Sequence, residues 1–405
     1  MIDSMIRTTV FLPQDPLSQR IGGILTFVKG FIKFAPDDFE TEVVGTTADA
    51  RERPLRRWQE VEIEGRATPF LPLVADRSPH GRPAIPIALR YTLAAVTHRA
   101  LIGRKPRILQ FHRAGVPLAF AGDARPKLQV VHLNVADIYR SKGESRWRLL
   151  PGAYHRVEDL TLPSMDRVFV VNRAGAEFYR KRHPSLGSRL AFIPTWVDDT
   201  MFRAPTSAER EAARRSLPAE QSLESEPGAR YLLFAGRLEA QKDPQLLIEA
   251  FAAAQHREPQ LHLLIAGDGS MRAAAQRAAA QAGVSARTHF LGFKTRPELA
   301  GLMQAADAFI LTSRFEGMPI SSLEALSCGL PVIATAVGEL PTVVREGENG
   351  SLSSERSPQA LADAICRVLG RDRSEVEAAA VGSVDQYRAR TVLQPLYDAH
   401  RQLWR

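Results

Sequence analysis

At 405 residues, with a net charge of +8 and 44% hydrophobic residues, the chain has room for two mid-sized cores and a composition unlike that of disordered or fibrous proteins. Its two cysteines, Cys328 and Cys366, exclude a disulfide framework beyond one bridge and favour a reducing compartment. No stretch reaches the ~18 apolar residues of a bilayer-spanning helix, and MIDSMIRTTVFLPQD lacks the pattern of a secretory leader, so a cytoplasmic protein is expected. The charge is uneven. Residues 1–196 carry 30 Lys/Arg against 19 Asp/Glu, and residues 197–405 carry 23 against 26. The surplus is densest in RERPLRRW and LIGRKPR, inside 51–113. Such a field draws phosphates or anionic lipid headgroups. A solvated surface in an arginine-rich chain gives the same count, since only 8 of the 53 basic residues are lysines. No nucleic-acid motif accompanies the charge, so nucleic acid is not an expected partner.

In chain order, RTTVFLP (7–13) reads as a strand, followed by the loop 14–23 and a helix ILTFVKGFIKFA (24–35). TEVVGTT (41–47) is a second strand. IPIALRYTLAAVTHRALIG (85–103) is amphipathic and helical, and Arg90 and Arg99 forbid a membrane span. KPRILQFH (105–112), PKLQVVHLN (126–134), DRVFVVN (166–172) and LAFIPT (190–195) are strands. The polar stretch 204–230 holds one solvated helix and a loose loop. Beyond it the alternation is regular. YLLFAG (231–236), LHLLIAGDG (261–269), THFLGF (288–293), DAFILTS (307–313) and LPVIAT (330–335) are strands, with helices at 243–254, 270–283, 296–306, 319–329 and 358–370. A helical pattern interrupted by Pro395 closes the chain at 385–404.

Alternating strands and helices predict α/β architecture with parallel sheets covered on both faces. Two Rossmann-like domains are expected, 1–196 and 197–384, with the helix at about 385–405 packing back on the first. Ligands of such sheets bind beyond the carboxyl ends of the strands, and two facing sheets would place a site in the cleft between them.

Every candidate motif follows a predicted strand. Gly22-Gly23 would let the backbone approach a ligand at a helix start, or simply form a turn. Arg237 and Lys242, on the loop GRLEAQKD, could clamp a diphosphate with a fork and a point charge, or be ordinary surface charge. The glycine spacing is not that of a Walker loop. Gly267-Asp268-Gly269 is a tight turn in which Asp268 is expected to cap the next helix. In RFEGMPISSLEALSCGLPVIAT (314–335), Pro319 is placed in the first helical turn, with Glu316 just before the helix and Glu324 near its middle. The amides of Gly317, Met318, Ile320 and Ser321 suit a phosphate, and the two carboxylates suit sugar diols. Together they describe a nucleoside diphosphate sugar. Cys328 is read as a small buried residue.

As an ordered set these pieces resemble glycosyltransferase family 4, the retaining glycosyl transferases group 1 of GT-B fold. The set comprises GG at 22–23, FAGRLEAQKD at 234–243, IAGDG at 265–269, FLGF at 290–293, the stretch 315–335 and GELPTVVREGENGSL at 338–352. The resemblance implies that Arg237 and Lys242 neutralise the leaving diphosphate, that Glu316 binds the donor sugar and Glu324 the ribose. It further implies that Phe293 borders the base and that Gly23 approaches the phosphates. The family's histidine matches His132 best and His112 next, as a hydrogen-bonding group near the sugar, with Asp137 a weaker candidate for the acceptor.

Three positions depart from the pattern: Asp243 stands where Gly is usual, Thr195-Trp196 replace Asn-Gly, and Asn172 replaces Ser. The resemblance implies a retaining hexosyltransferase using a nucleotide-sugar donor, GDP-mannose or a UDP-sugar, with no cofactor and no metal. The basic half suggests a lipid-linked acceptor of bacterial exopolysaccharide or lipopolysaccharide synthesis, met by peripheral contact with an anionic membrane at its inner face. A silent sugar-nucleotide-binding scaffold and a GT-B nucleotide-sugar epimerase are the alternatives.

Overall fold

The computed structural model describes residues 5–18, 23–76, 87–103, 105–132, 151–220 and 226–405. The chain forms two compact units, Met1–Pro194 with Val392–Arg405, and Thr195–Thr391.

The first unit is built on eight strands: β1 (Ile6–Phe11), β2 (Phe39–Thr47), β3 (Gln59–Ile63), β4 (Arg66–Ala75), β5 (Ile108–Phe111), β6 (Lys127–Val131), β7 (Arg167–Val170) and β8 (Leu190–Phe192). Their order is β3-β4-β2-β1-β5-β6-β7-β8. Only the β3–β4 pair is antiparallel. The interior strands are apolar runs buried on both faces, as Val10, Phe11, Val43, Val44, Leu109, Val130 and Val168 show, which is the habit of parallel sheets. The β3–β4 hairpin was not expected from sequence. Its turn is Glu64-Gly65, both at positive φ (51° and 79°), and a Glu in that place gives none of the usual Asn/Asp-Gly signal.

The closing helix, Ala389–Trp404, runs through Pro395 without a break, contrary to the expected interruption. The carbonyl that a helical proline leaves without its partner is that of the residue four before it. Here this is Thr391, which is exposed. The helix packs on Gly23–Lys33: the Tyr397 hydroxyl donates to the Phe31 carbonyl at 2.8 Å, their rings stack at 5.2 Å, and Arg401 pairs with Asp38 at 3.0 Å.

The second unit has six parallel strands: β9 (Arg230–Ala235), β10 (Leu261–Ala266), β11 (Thr288–Gly292), β12 (Ala308–Leu311), β13 (Val332–Thr335) and β14 (Gly350–Ser353). Their order is β11-β10-β9-β12-β13-β14. The chain order therefore turns back between β9 and β12, the switch point where ligand loops splay apart. Short, polar β14 carried no strand signal. Its neighbour β13 and the buried Ser351 and Ser353 hold it in the sheet. The helix Arg373–Ser383 was likewise not foreseen. Among the described residues no helix is long and apolar enough to cross a membrane.

Candidate active site

Because β9 and β12 are neighbours, the loops after them meet. The loop after β9 is pinned along its length. Gly236 N donates to the Ala266 carbonyl and Leu238 N to the Asp268 carbonyl, both at 3.0 Å, and Met271 N donates to the Leu238 carbonyl at 2.9 Å. A Cβ on Gly267, whose φ is +149°, would overlap the Gly236 carbonyl, and one on Gly269 would overlap the main chain of Leu238. The two glycines thus let two strand-end loops touch backbone to backbone. Asp268 does not cap the following helix, as the sequence suggested. Helix Arg272–Gln281 starts after Met271 with no side-chain cap. Asp268 instead accepts from Gly269 N at 2.7 Å and pairs with Arg272 at 3.2 Å, because the tight backbone packing sets it three residues short of the capping position.

Lys242 and Glu316, given separate tasks by the sequence reading, are in direct contact: Nζ lies 2.6 Å from Oε1. Arg237, at the start of the same loop, is exposed. Asp243 adopts the left-handed conformation, φ 50° and ψ 64°, and caps helix Pro244–Gln255. That backbone explains why glycine is usual there. The aspartate is held in it by Arg356 at 2.5 Å and Arg314 at 2.9 Å.

After β12, Pro319 stands at the N-cap rather than in the first helical turn, with extended ψ of 118°. Helix Ile320–Ser327 begins with the amides of Ile320 and Ser321, which have no intrahelical acceptors and sit at the positive pole. A Cβ on Gly317 would meet nothing within 4 Å, so its main chain borders open space. Met318 packs against the core. Gly338, at φ +58°, lies against the carbonyls of Glu316 and Gly317, and Glu339 N donates to the Gly317 carbonyl at 2.8 Å. The turn carrying Glu316 is thereby fixed from both sides.

Glu324 is buried, 4% exposed. Burial pushes its carboxyl pKa up, while Arg296, 2.9 Å away, pulls it back down. The Arg296 guanidinium lies 4.9 Å from the Phe202 ring centroid. Sequence reasoning missed Arg296. Thr295-Arg296-Pro297-Glu298 announces a helix start, which it is, and nothing in it signals an ion pair to a residue 28 positions on. Phe293, three residues before Arg296, is 53% exposed.

In the first unit, Gly22 and Asp137 lie outside the described residues. Gly23 opens helix Gly23–Lys33, and a Cβ there would meet nothing within 4 Å. His112 follows β5 and His132 follows β6. Since these strands are neighbours, the two candidate histidines form one pair: His112 Nδ1 lies 2.8 Å from His132 Nε2, and Gln110 Nε2 lies 2.9 Å from His112 Nε2. Phe27 meets His132 edge-on at 5.1 Å. Burial, with the nearby Arg113 charge, lowers the His132 pKa to about 3. Burial and the charges of His132 and His400 hold His112 well below the usual histidine range. Both rings are therefore neutral near pH 7.

The other departures from the family pattern have local accounts. Trp196 is buried and is not among the positive-φ residues. Its successor is anchored by Val197 N to the Tyr387 carbonyl at 2.8 Å and Ala389 N to the Val197 carbonyl at 3.0 Å, so this stretch does without glycine geometry. Asn172 caps helix Arg173–Arg182 by accepting from Gly175 N. Among the described residues no group of three or more His, Cys, Asp or Glu is placed to hold a metal ion.

Residues 218–380 match the family Glycosyl transferases group 1. The D-inositol 3-phosphate glycosyltransferase of Mycolicibacterium gilvum is 31% identical over 229 residues, 55% of this chain and 49% of that protein. The one of Corynebacterium urealyticum is 29% identical over 252 residues, 60% of this chain and 57% of that protein. The chain thus spans about half the length of the curated relatives it matches. Among solved structures, sucrose-phosphate synthase from Thermosynechococcus elongatus superposes with a TM-score of 0.76 at 20% identity, over 98% of this chain and 99% of that one. Anabaena HepE in complex with UDP and glucose gives 0.70 at 17% identity, over 96% and 98%. At such identities the likeness speaks for the fold. The chain has the GT-B fold, and residues 218–380 of its C-terminal unit are similar to the glycosyl transferases group 1 family.

Proposed function

We propose that the protein is a retaining family 4 glycosyltransferase that moves a hexose from a nucleoside diphosphate sugar to an acceptor hydroxyl. The observation that carries this reading is the Lys242–Glu316 contact at the switch point of the C-terminal sheet, next to a helix start with outward amides. A cation, a carboxylate and main-chain donors at one strand edge suit a diphosphate joined to a polyol.

In this reading Lys242 and Arg237 stabilise the leaving diphosphate, with the amides of Gly317, Met318, Ile320 and Ser321 beside them. Glu316 accepts hydroxyls of the transferred sugar and Glu324 those of the ribose. Phe293 borders the base. Gly267 keeps the strand end low beneath the donor. The bond from the anomeric carbon to the diphosphate oxygen breaks, the acceptor oxygen bonds to that carbon on the same face, and the departing phosphate oxygen takes the acceptor's proton. Fixed cations do the electrostatic work, so the step calls for no metal. In the first unit Gly23 serves the phosphates, and neutral His132 is a hydrogen-bonding partner of the sugar, not a base.

The donor is a UDP- or GDP-sugar. UDP-glucose occupies Anabaena HepE, and GDP-mannose is a common donor in the family. The acceptor proposed is a lipid-linked glycan of bacterial exopolysaccharide or lipopolysaccharide assembly, reached by peripheral contact with an anionic membrane. A second reading, a small phosphorylated polyol as acceptor, is favoured by the names of the inositol-phosphate relatives and by the same basic surplus.

A thermal-shift screen of nucleoside diphosphates tests the donor: a ligand at ~100 times its dissociation constant adds ~2.7 kcal/mol of apparent stability. Release of free nucleoside diphosphate with and without a lipid extract or inositol 3-phosphate then tests transfer. No shift with any nucleotide, and no acceptor-dependent release, sinks the proposal.

A further inference from the structure

We infer that the outer face of helix Ile87–Thr97, with the adjoining loop at residues 55–58, is a docking surface for an anionic bilayer. The inference builds on the membrane contact proposed above but not on the transfer chemistry.

The helix has two apolar stripes where an ordinary surface helix has one. Its inner stripe is accounted for: Tyr91 and Ala95 are fully buried, and the Tyr91 hydroxyl donates to the Val44 carbonyl at 2.5 Å. Its outer stripe is Leu89, Leu93 and Val96, exposed by 51%, 56% and 45%. Steps of four and three residues put all three on one side. The apolar surface continues beyond the helix. Leu101 is 39% exposed and Trp58 38%, and the Trp58 indole N–H donates to the Leu101 carbonyl at 2.8 Å, which fastens the two segments together. Five of the nine exposed large apolar residues in the described chain thus fall within residues 58–101. Scattered exposed leucines need no explanation, but a contiguous patch does.

Between the loop and the helix lies a groove of about 480 Å³, with Leu55, Leu73, Val74, Leu93 and Ala94 among its walls and Arg56, Arg90 and His98 at its polar positions. Arg56, Arg57, Arg99 and Lys105 are exposed around it. Apolar side chains ringed by cations fit the boundary between acyl chains and anionic headgroups. With 11 residues the helix is too short to span a bilayer and suited to lie along its surface.

A second copy of the chain is the other candidate occupant, and the charge argues against it. Residues 51–113 carry 13 Lys/Arg against 5 Asp/Glu, so a two-fold contact would set this cationic rim against itself.

Co-sedimentation of the full chain with phosphatidylcholine vesicles, with and without phosphatidylglycerol, tests the inference. Binding is expected to the mixed vesicles and to weaken with salt. The triple variant Arg56→Ser, Arg57→Ser, Arg99→Ser is expected to lose on the order of 100-fold in partitioning, at about a kcal/mol per headgroup-facing cation. Leu89→Ser, Leu93→Ser, Val96→Ser together are expected to lose binding at any salt concentration. All six positions are at the surface, and the thermal shift produced by a nucleoside diphosphate checks that each variant is folded and tests the donor reading separately. Parent-like binding by both variants overturns the inference. So does equal binding to neutral vesicles, or a concentration-dependent dimer abolished by the leucine substitutions without vesicle binding.

Discussion

Lys242 Nζ stands 2.6 Å from Glu316 Oε1, although the two residues are 74 positions apart. The side chains are only 16% and 9% exposed, so each partly desolvated charge relies on the other. If Lys242 and Glu316 take the roles proposed for them, an arriving diphosphate must compete with Glu316 for the lysine, and a sugar hydroxyl with Lys242 for the carboxylate. On the proposed reading, the two halves of the donor would be bound by an exchange of partners.

The first prediction separates those halves. Lys242→Ala should lower transfer by 100-fold or more, the scale of losing one electrostatic stabiliser, and should weaken nucleoside diphosphate binding. Glu316→Gln should lower transfer by a similar ~100-fold yet bind the free nucleoside diphosphate at least as tightly as the parent, because Lys242 no longer has a competing anion. Calorimetric titration with UDP and GDP reads the difference. Near-normal turnover in both variants would falsify the assignment.

A second prediction concerns Arg296. It sits 2.9 Å from a carboxylate that burial is already driving toward its neutral form. Arg296→Leu removes the opposing influence, so the Glu324 pKa rises further and the group is protonated over more of the working range. A protonated carboxyl is a poorer acceptor for a ribose diol. Nucleotide affinity should fall about tenfold or more and recover in part as the pH rises, whereas Arg296→Lys should keep most of it. The ratio of affinities for ribose and 2′-deoxyribose nucleotides should also shrink in the leucine variant. A purely structural role for Arg296 would lower both affinities equally and leave the ratio and the pH dependence unchanged.

The candidate site of the second unit was readable because main-chain constraints write themselves into residue type. Gly267, Gly269 and Gly338 stand where loops touch backbone to backbone, and Pro319 marks the helix start. The second sheet was legible from its central strands, which are largely apolar runs of four to six residues. What escaped was tertiary. The Glu64-Gly65 hairpin lacks the common turn residues, and β14 is polar and short. The Lys242–Glu316, Arg296–Glu324 and Asp243–Arg356 pairs depend on the order of the strands across the sheet, and strand order is not a local property. For the same reason His112 and His132 were weighed as rivals when β5–β6 pairing makes them partners.

A third prediction tests the glycine-to-aspartate departure. Asp243 holds a left-handed backbone that costs a residue with a Cβ roughly 1 kcal/mol or more, offset by its contacts with Arg314 and Arg356. Asp243→Ala keeps the strain and loses the contacts, and should destabilise the protein by about 2 kcal/mol. Asp243→Gly loses the contacts but also the strain, and should cost about 1 kcal/mol less than alanine. Denaturant melts of the two variants give the ordering. If alanine is tolerated as well as glycine, the backbone conformation is not what makes this position special.

The last prediction follows from the buried histidines. The His132 pKa is lowered to about 3 and those of His289 and His400 to about 4, in each case chiefly by burial. His112 is lowered well below its usual value by the same cause. The groups facing the pair include His400 and Arg113, whose influence also opposes protonation. The unfolded chain takes up these protons near pH 6.5, and the folded chain does so only well below that. Between the two ranges the unfolded state binds more protons, so stability must rise with pH there. The contribution is complete above about pH 6.5 and is lost as the pH falls toward the folded values. Melting temperature should be flat from about pH 7 to 8 and fall steadily below about 6.5. His132→Gln should reduce that slope. In the same range the His132 ring protons should show no titration shift by NMR from about pH 8 to about pH 5, and the transfer rate should show no limb that His132→Gln removes. An apparent His132 pKa of about 7.5 or higher would mean that the ring is largely charged near pH 7, and the neutral hydrogen-bonding role proposed for it would have to be given up.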